Sequence, residues 1–480
     1  MKPKILITIL IITILFTACG SNVETPSKTD TNNTETTTSV IDYMETLPVK
    51  NYDGYTFTVI GYHIPDRVVF PADEETGEPL NDSLYRRNTM LEERYNINIV
   101  NVPFPDRGTT TTAVRKSVMA QDNAYDLIVH ALGDGLNYLA MEGSLYDMCN
   151  IDYLQLDQNW WCKSMFEYLS VNGKLFYSSG PIAPFFYNAP NVFVYNKKLT
   201  EDHNMGDMNK LVLNNEWTID KMLELVKDKN RDLNGDGIMH KDHDFFGMAV
   251  HSAPQVFIAA FGQKMTVLDK DLYFKLNFEN EAVITLIDKI KEFTNDPNST
   301  YNGAVNYVQY EEIPSFMENR MLFFIAPMGN VTNNFRSMEA DYGILPVPKL
   351  NSAQANFHSY ATPFGPVGAG VPVYCDNPER TGLITETMAY LSYEMVKPTM
   401  YDNILRMKIA RDEESQQMLD LVYSEIIFDL NEMHNFGGSL TLLRDYAFSG
   451  KGDFVSGYAA IKDKAEAEIQ ALIDAYMKVS

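Results

Sequence analysis

Strand-like and helix-like patterns alternate at the start of the globular part of this chain. Tyr55–Ile60 alternates in hydrophobicity as a strand does, and Leu80–Tyr95 has the apolar spacing of a helix. Further strand patterns at Ile97–Val102 and Tyr125–Ala131 flank the end of a second helix at Ser117–Asp122. Strands separated by helices predict an α/β fold with a mostly parallel sheet that is covered on both faces.

Several polar and aromatic side chains follow the predicted strands. Ligands of such sheets bind beyond the carboxyl ends of the strands. Tyr62 follows the first strand, and His130 and Asp134 lie at the end of the third strand and in the next loop. Met328 and Asn330 follow an apolar strand at 321–326. These five residues are predicted ligand contacts, while a structural hydrogen bond is the alternative role for His130.

The rest of the chain continues the mixture of strands and helices. Val192–Tyr195 is predicted to be a strand, and Ile219–Lys227 and Ala282–Thr294 are predicted to be helices. Thr362–Pro372 is rich in Pro and Gly and is predicted to be an irregular crossing. From Glu379 to the end the pattern is mostly helical. The chain therefore has two β-rich regions and a helical tail.

The charge of the chain excludes one class of partner. Lys and Arg number 39 against 64 Asp and Glu, which gives a formal net charge of −25. Binding to phosphate backbones requires clustered Lys and Arg, and the sequence contains no basic run of five residues. We therefore expect no nucleic-acid partner.

The first residues read as an export signal. Lys2 and Lys4 precede an apolar run, Ile5–Phe16, that is too short to span a bilayer, and small residues then lead to Cys19. Small residues directly before Cys resemble a bacterial lipobox. The prediction is a signal peptide at 1–18, a lipid on Cys19, a flexible polar tether at 19–49 and anchoring at the extracellular face of the cell membrane. An ordinary secretory signal is the alternative.

An acidic segment in the middle of the chain opens like a calcium-binding loop. Its side-chain oxygens recur at alternate positions, and Gly237 permits the sharp turn between them. The far end departs from the EF-hand pattern, because His243 stands where a Glu is usual. The predicted ligands of a structural Ca²⁺ are Asp232, Asn234, Asp236, Ile238, Asp242 and Asp244. The alternative is a turn rich in Asp and Asn that binds no ion.

Aromatic and amide side chains gather near 160 and 187. Sugar rings pack their C–H faces on aromatic rings and offer their hydroxyls to polar groups. Trp160, Tyr187 and Asn188 are therefore predicted ligand contacts, with core packing as the alternative for the two aromatic residues. We find no nucleophile elbow, zinc-protease motif or phosphate loop, and we expect no enzymatic activity.

Several ordered motifs carry a family resemblance. They include Asn159-Trp160-Trp161, Val194-Tyr195-Asn196-Lys197, Glu216-Trp217-Thr218 and Asp341-Tyr342-Gly343-Ile344. With these motifs the chain resembles the extracellular solute-binding proteins, family 1, of bacterial ABC importers. The resemblance covers some 400 residues after the tether.

The resemblance implies a two-lobed, periplasmic-binding-protein-like fold of type II. One lobe would comprise 50–184 and 365–480, including the helical tail, and the other 185–364. It also implies that the chain binds a carbohydrate, with an oligosaccharide as the first choice, and delivers it to ABC permease subunits. Peptides or other polar solutes, a sensor or adhesin role and a secreted glycan-acting enzyme are the alternatives.

Overall fold

The structure is a computed structural model that describes residues 43–63, 69–250, 254–270, 273–303, 311–364, 367–406 and 413–478. The predicted signal peptide, Cys19 and most of the predicted tether lie outside these residues. A short helix, α1 (Tyr43–Thr46), ends a first unit, and Leu47–Ser480 forms a second, compact unit.

The second unit contains all of the strands in the described residues. They are β1 (Tyr55–Tyr62), β2 (Ile97–Phe104), β3 (Leu127–Ala131), β4 (Asn191–Asn196), β5 (Phe246–Val250), β6 (Thr266–Leu268), β7 (Phe274–Leu276), β8 (Thr300–Asn302), β9 (Met321–Pro327), β10 (Tyr342–Leu345), β11 (Ser359–Tyr360), β12 (Val367–Gly370) and β13 (Ile426–Ile427).

The α-helices lie between and after these strands. They are α2 (Pro79–Tyr95), α3 (Arg107–Ala120), α4 (Asn137–Met141), α5 (Lys163–Leu169), α6 (Lys197–Asp202), α7 (Met208–Leu213), α8 (Ile219–Val226), α9 (Pro254–Ala260), α10 (Glu281–Thr294), α11 (Ile313–Met317), α12 (Met328–Asn334), α13 (Pro378–Leu391), α14 (Lys397–Arg406), α15 (Glu413–Ser424), α16 (Leu430–His434), α17 (Ser439–Ser449) and α18 (Phe454–Lys478). None of the described helices is long and apolar enough to cross a membrane.

The first sheet has the strand order β12-β3-β1-β2. Strand β1 pairs in parallel with β2 and β3, as the alternation of strands and helices predicts, and β12 adds an antiparallel edge next to β3. All five residues of β3 are buried, which explains its continuous apolar sequence. The mixed α/β fold class is confirmed.

The second sheet has the order β10-β4-β9-β5-β8. Its central strands β4, β5 and β9 are buried along their whole length. Strand β5 pairs in parallel with β8 and β9, whereas β4 runs antiparallel to β9 and β10. The chain thus completes this sheet between 191 and 345 before β12 returns to the first sheet.

Local sequence explains why the first long helix has the predicted bounds. Pro79 occupies its first turn, where the missing N–H is not needed, and the Glu78 side chain accepts a hydrogen bond from Asn81 N at 2.6 Å. Asn96 ends the helix in the left-handed conformation and leads directly into β2.

The C-terminal helices contact elements of both sheets. Helix α13 packs on α2, next to the first sheet, and α17 packs on α10, next to the second. The last helix, α18, contacts both α4 and β7. The C-terminal tail, which was predicted to be helical, therefore packs against both halves of the unit. Cys149, Cys162 and Cys375 remain free thiols in it.

Candidate ligand-binding site

The carboxyl ends of β1 and β3 bring three predicted contacts together with an arginine. The rings of Tyr62 and His130 lie 5.3 Å apart. Arg107 opens α3, and its guanidinium lies 5.5 Å from the centre of the Tyr62 ring. The same group holds Asp134 by hydrogen bonds of 2.8 and 3.1 Å to its two carboxylate oxygens. Arg107 and Asp134 are each about a third exposed, so their polar groups face solvent at this edge.

His130 is held inside the first half of the unit. Its Nε2 lies 2.9 Å from Thr111 Oγ1 and 3.1 Å from the Arg107 carbonyl, while Nδ1 accepts a hydrogen bond from Ala131 N at 2.8 Å. Burial lowers the pKa of His130 to about 4, so the ring is neutral at neutral pH. Both ring nitrogens are thus bonded to residues of the first half of the unit, and these bonds help to fix the loop that carries Asp134.

Three predicted contacts come from the second sheet and the crossing before it. Met328 follows β9 and is fully buried, with its N–H bonded to the Pro190 carbonyl at 2.8 Å. A Cβ atom on Gly329 would lie 3.1 Å from Asn188 Cβ, so Asn188 lies against this turn. The buried Nδ2 of Asn330 has no hydrogen-bond partner among the described residues. Asn330 therefore keeps a donor for a group that enters from outside.

The segment from Ala361 to Phe364 connects the two sides. Thr362 N bonds to the Ala189 carbonyl at 3.2 Å, and Gly133 N bonds to the Pro363 carbonyl at 3.0 Å. A Cβ on Gly133 would approach the Phe364 ring to 2.9 Å, so only glycine allows this contact. The loop after β3 and the segment just before β4 are thus joined through one short stretch of chain.

Phe364 is the main surface residue that the sequence analysis missed. The Phe364 side chain is 41% exposed, although it is large and apolar. Its ring packs against Gly133, the residue before Asp134. The sequence marks this stretch only as a crossing rich in Pro and Gly. An exposed ring against the loop that carries Asp134 offers the kind of face on which sugar rings pack.

Trp160 and Tyr187 lie elsewhere. The indole N–H groups of Trp160 and Trp161 donate to the two carboxylate oxygens of Glu386 at 2.7 and 2.9 Å, and the edge of Trp160 packs on Tyr390. Tyr187 is buried and lines a separate cavity of about 460 Å³, whose lining includes none of the strand-end residues described above.

The oxygens of the predicted calcium loop bind its own backbone. Asp232 accepts hydrogen bonds from Gly235 N and Gly237 N, while Asn234 and Asp236 accept from the N–H groups of Asp236 and Ile238. The buried Asp244 accepts from Leu233 N and His240 N.

The far end of this loop is less suited to an ion. Lys241 bonds to Asp242 at 2.6 Å and holds the pKa of that carboxyl below its usual value. The Asp242 carboxylate is thus paired with Lys241, whereas each carboxylate oxygen of Asp232 and Asp244 keeps a second lone pair. Among the described residues, the carboxylate oxygens of Asp232, Asp236 and Asp244 do not gather closely enough to form a metal-binding group in this structure. Calcium binding through the loop stays a prediction.

Comparisons with known proteins identify the fold. No protein-family model and no curated protein sequence matches the chain. Among solved structures, an ABC substrate-binding protein from Listeria monocytogenes in complex with cycloalternan matches at 13% identity and a TM-score of 0.53, covering 87% of this chain and 100% of that one.

Two further solved structures match the chain with similar sequence identities, TM-scores and coverage. The maltose-binding protein MalE from Listeria monocytogenes, in complex with maltose, matches at 15% identity and a TM-score of 0.54, covering 89% of this chain and 99% of that one. The galacto-N-biose-/lacto-N-biose I-binding protein of Bifidobacterium longum, in complex with lacto-N-biose, matches at 10% identity and a TM-score of 0.52, covering 88% of this chain and 98% of that one.

These matches extend over nearly the whole length of the neighbours and most of this chain. At such low identity they establish the fold, which is the one that the family resemblance implies. The chain has the two-lobed, periplasmic-binding-protein-like fold of ABC solute-binding proteins.

Proposed function

We propose that the chain is the substrate-binding component of an ABC importer and binds a carbohydrate between its two lobes. The observation that carries the proposal is the exposed ring of Phe364, which lies against Gly133 of the loop after β3, on a segment whose Thr362 also bonds to Ala189 just before the second sheet. The shared fold with proteins crystallised with cycloalternan, maltose and lacto-N-biose supports the same conclusion.

The chemistry of this cleft suits a sugar. The C–H face of a pyranose ring packs on Phe364, and its hydroxyl groups donate to Asp134. The guanidinium of Arg107, next to the first sheet, and the free amide donor of Asn330, after β9 of the second sheet, supply hydrogen bonds to hydroxyl oxygens. A ligand held from both sides stabilises the closed arrangement of the lobes, because it binds that arrangement better than the open one.

Delivery and anchoring complete the proposal. In this role the closed protein docks on ABC permease subunits, and a lipid on Cys19 keeps it near them at the extracellular face of the membrane. The function is binding and release without chemistry on the ligand. A peptide or another polar solute is the second candidate, because the polar groups of the cleft serve amides as well as hydroxyls.

A thermal-shift screen tests the proposed ligand class. We expect maltotriose, raffinose or lacto-N-biose to raise the unfolding temperature, because a ligand that binds only the native state stabilises it. Isothermal titration of the active glycan then gives the affinity and a stoichiometry of one. A shift with tri-alanine and none with any glycan would contradict carbohydrate binding and favour the peptide alternative.

We also propose that the loop from Asp232 to Asp244 holds a structural Ca²⁺. Calcium at about 100 times its dissociation constant should stabilise the protein by about 2.7 kcal/mol, and chelation with EGTA should reverse the shift. Asp236→Ala should abolish the effect, whereas Asp463→Ala, at an exposed position on α18, should retain it. Equal unfolding temperatures of the unmodified protein in calcium and in EGTA would contradict the site.

A further inference from the structure

A second cavity lies behind the chain crossing that separates the two sheets. It is the cavity of about 460 Å³ lined by Tyr187. Residues between Asn159 and Pro181 form one wall, and Phe186 and Tyr187 of the crossing form the floor. The other wall comes from Tyr393, Lys397, Tyr401 and the stretch 423–426. Its volume is within the range of small-molecule sites, roughly 300–1,000 Å³.

The aromatic walls of this cavity are fixed by mutual contacts. The Tyr187 ring lies edge-on to Tyr423 at 5.3 Å and to Tyr401 at 5.7 Å. The Tyr423 hydroxyl donates to the Tyr187 carbonyl at 2.7 Å. Trp161 is held from behind by its hydrogen bond to Glu386. Because these groups are already oriented, a ring that enters between them finds its packing surfaces in place.

The charges in the cavity favour an anion. Glu167 forms an ion pair with Lys264 at 2.7 Å, and Glu425 lies 3.2 Å from His358 Nδ1. Lys163 and Lys397 also line the cavity, and neither has a carboxylate partner in the described parts of the chain. The Lys397 ammonium is half-buried and lies 4.3 Å above the Tyr393 ring. With Lys264 counted as the partner of Glu167, three lysines face two carboxylates at the cavity, because His358 is charged only if protonated. This excess of one positive charge complements a ligand with negative charge.

We propose that this cavity is a second ligand-binding site, distinct from the cleft at Phe364, and that it takes a small anionic ring compound. The charge of the compound bonds to Lys397 and Lys163, and its ring packs against Tyr187 and Tyr401. Tyr187 and Asn188 are neighbours in the chain, yet Tyr187 lines this cavity and Asn188 contacts the turn at Gly329. The two sites therefore share the crossing and none of their contact residues.

Isothermal titration with D-glucuronate, D-glucose and acetate tests this site in the full-length protein. Glucuronate combines ring and charge, whereas glucose lacks the charge and acetate lacks the ring. We expect glucuronate to bind more tightly than either, and Lys397→Gln to weaken it at least about tenfold through the loss of a charge-assisted hydrogen bond. Lys451→Gln, at an exposed lysine outside the cavity, should bind glucuronate as the unmodified protein does.

A second pair of variants separates this site from the cleft. Phe364→Ala should leave glucuronate binding unchanged, and Lys397→Gln should leave binding of the neutral glycan from the screen unchanged. Equal affinity for glucuronate in Lys397→Gln and in the unmodified protein would overturn the proposal. So would loss of glucuronate binding in Phe364→Ala, since that result would place the anion in the cleft. Neither result depends on whether a neutral glycan binds.

Discussion

Phe364→Ala should weaken glycan binding about thirtyfold, which corresponds to about 2 kcal/mol, the size of loss found for aromatic residues at the centre of an interface. The ring is 41% exposed and lies against the glycine loop that carries Asp134. Its removal deletes the only exposed aromatic face that the structure describes on the segment joining the two lobes. Isothermal titration of the glycan identified by the screen measures the change.

A matched variant controls for a general effect of losing an aromatic residue. Phe166 on α5 is 43% exposed and lies outside both sites, so Phe166→Ala should bind the glycan as the unmodified protein does. Both variants should keep the unfolding temperature of the apo-protein within about 2 °C, because each removes a side chain that is largely exposed. Undiminished glycan affinity in Phe364→Ala would place the ligand elsewhere.

The fold could be predicted because its signals are local in the sequence. The periods of Tyr55–Ile60, Leu80–Tyr95 and Ile97–Val102 correspond to β1, α2 and β2 to within two residues. Helix caps such as Glu78 and Asn96 fix these boundaries without help from distant residues. The order of motifs along the chain then indicated the two-lobed fold, which no single motif specifies.

The site could be predicted only in part, because its contacts are distant in the sequence. The rule that ligands meet the ends of strands indicated Asp134, after β3, and Asn330, after β9, and contact of either residue with a ligand stays a prediction. No periodic pattern reveals that Phe364 lies beside Gly133, since Phe364 lies in the irregular part of the crossing. The prediction that 362–372 is irregular throughout was wrong, because 367–370 pairs with β3 as strand β12. Similarly, Trp160 is of a residue type that packs on sugar rings, but its hydrogen-bond partner Glu386 lies 226 positions away in the sequence.

The second large effect concerns this buried glutamate. Glu386 on α13 is fully buried, and its carboxylate accepts hydrogen bonds from the Trp160 and Trp161 indoles and from Gln155 N at 3.1 Å. Glu386→Gln keeps the volume but replaces one acceptor oxygen by an amide donor, which then faces an N–H group. We expect the free energy of unfolding to fall by about 3 kcal/mol, because at least one buried donor loses a charged partner.

Urea unfolding followed by tryptophan fluorescence measures this loss of unfolding free energy. The result bears on both proposed sites. Glu394→Gln changes an exposed glutamate three residues beyond the same helix and should alter the unfolding free energy by less than about 0.5 kcal/mol. A Glu386→Gln protein as stable as this control would show that the carboxylate does not hold the double tryptophan. If the loss is found, the carboxylate that holds Trp160 away from ligand binding through one oxygen also orients Trp161, through its other oxygen, as a wall of the second cavity. Glu386→Gln should then weaken glucuronate binding under conditions in which the variant is still folded, while the Phe364 cleft keeps its affinity for the neutral glycan.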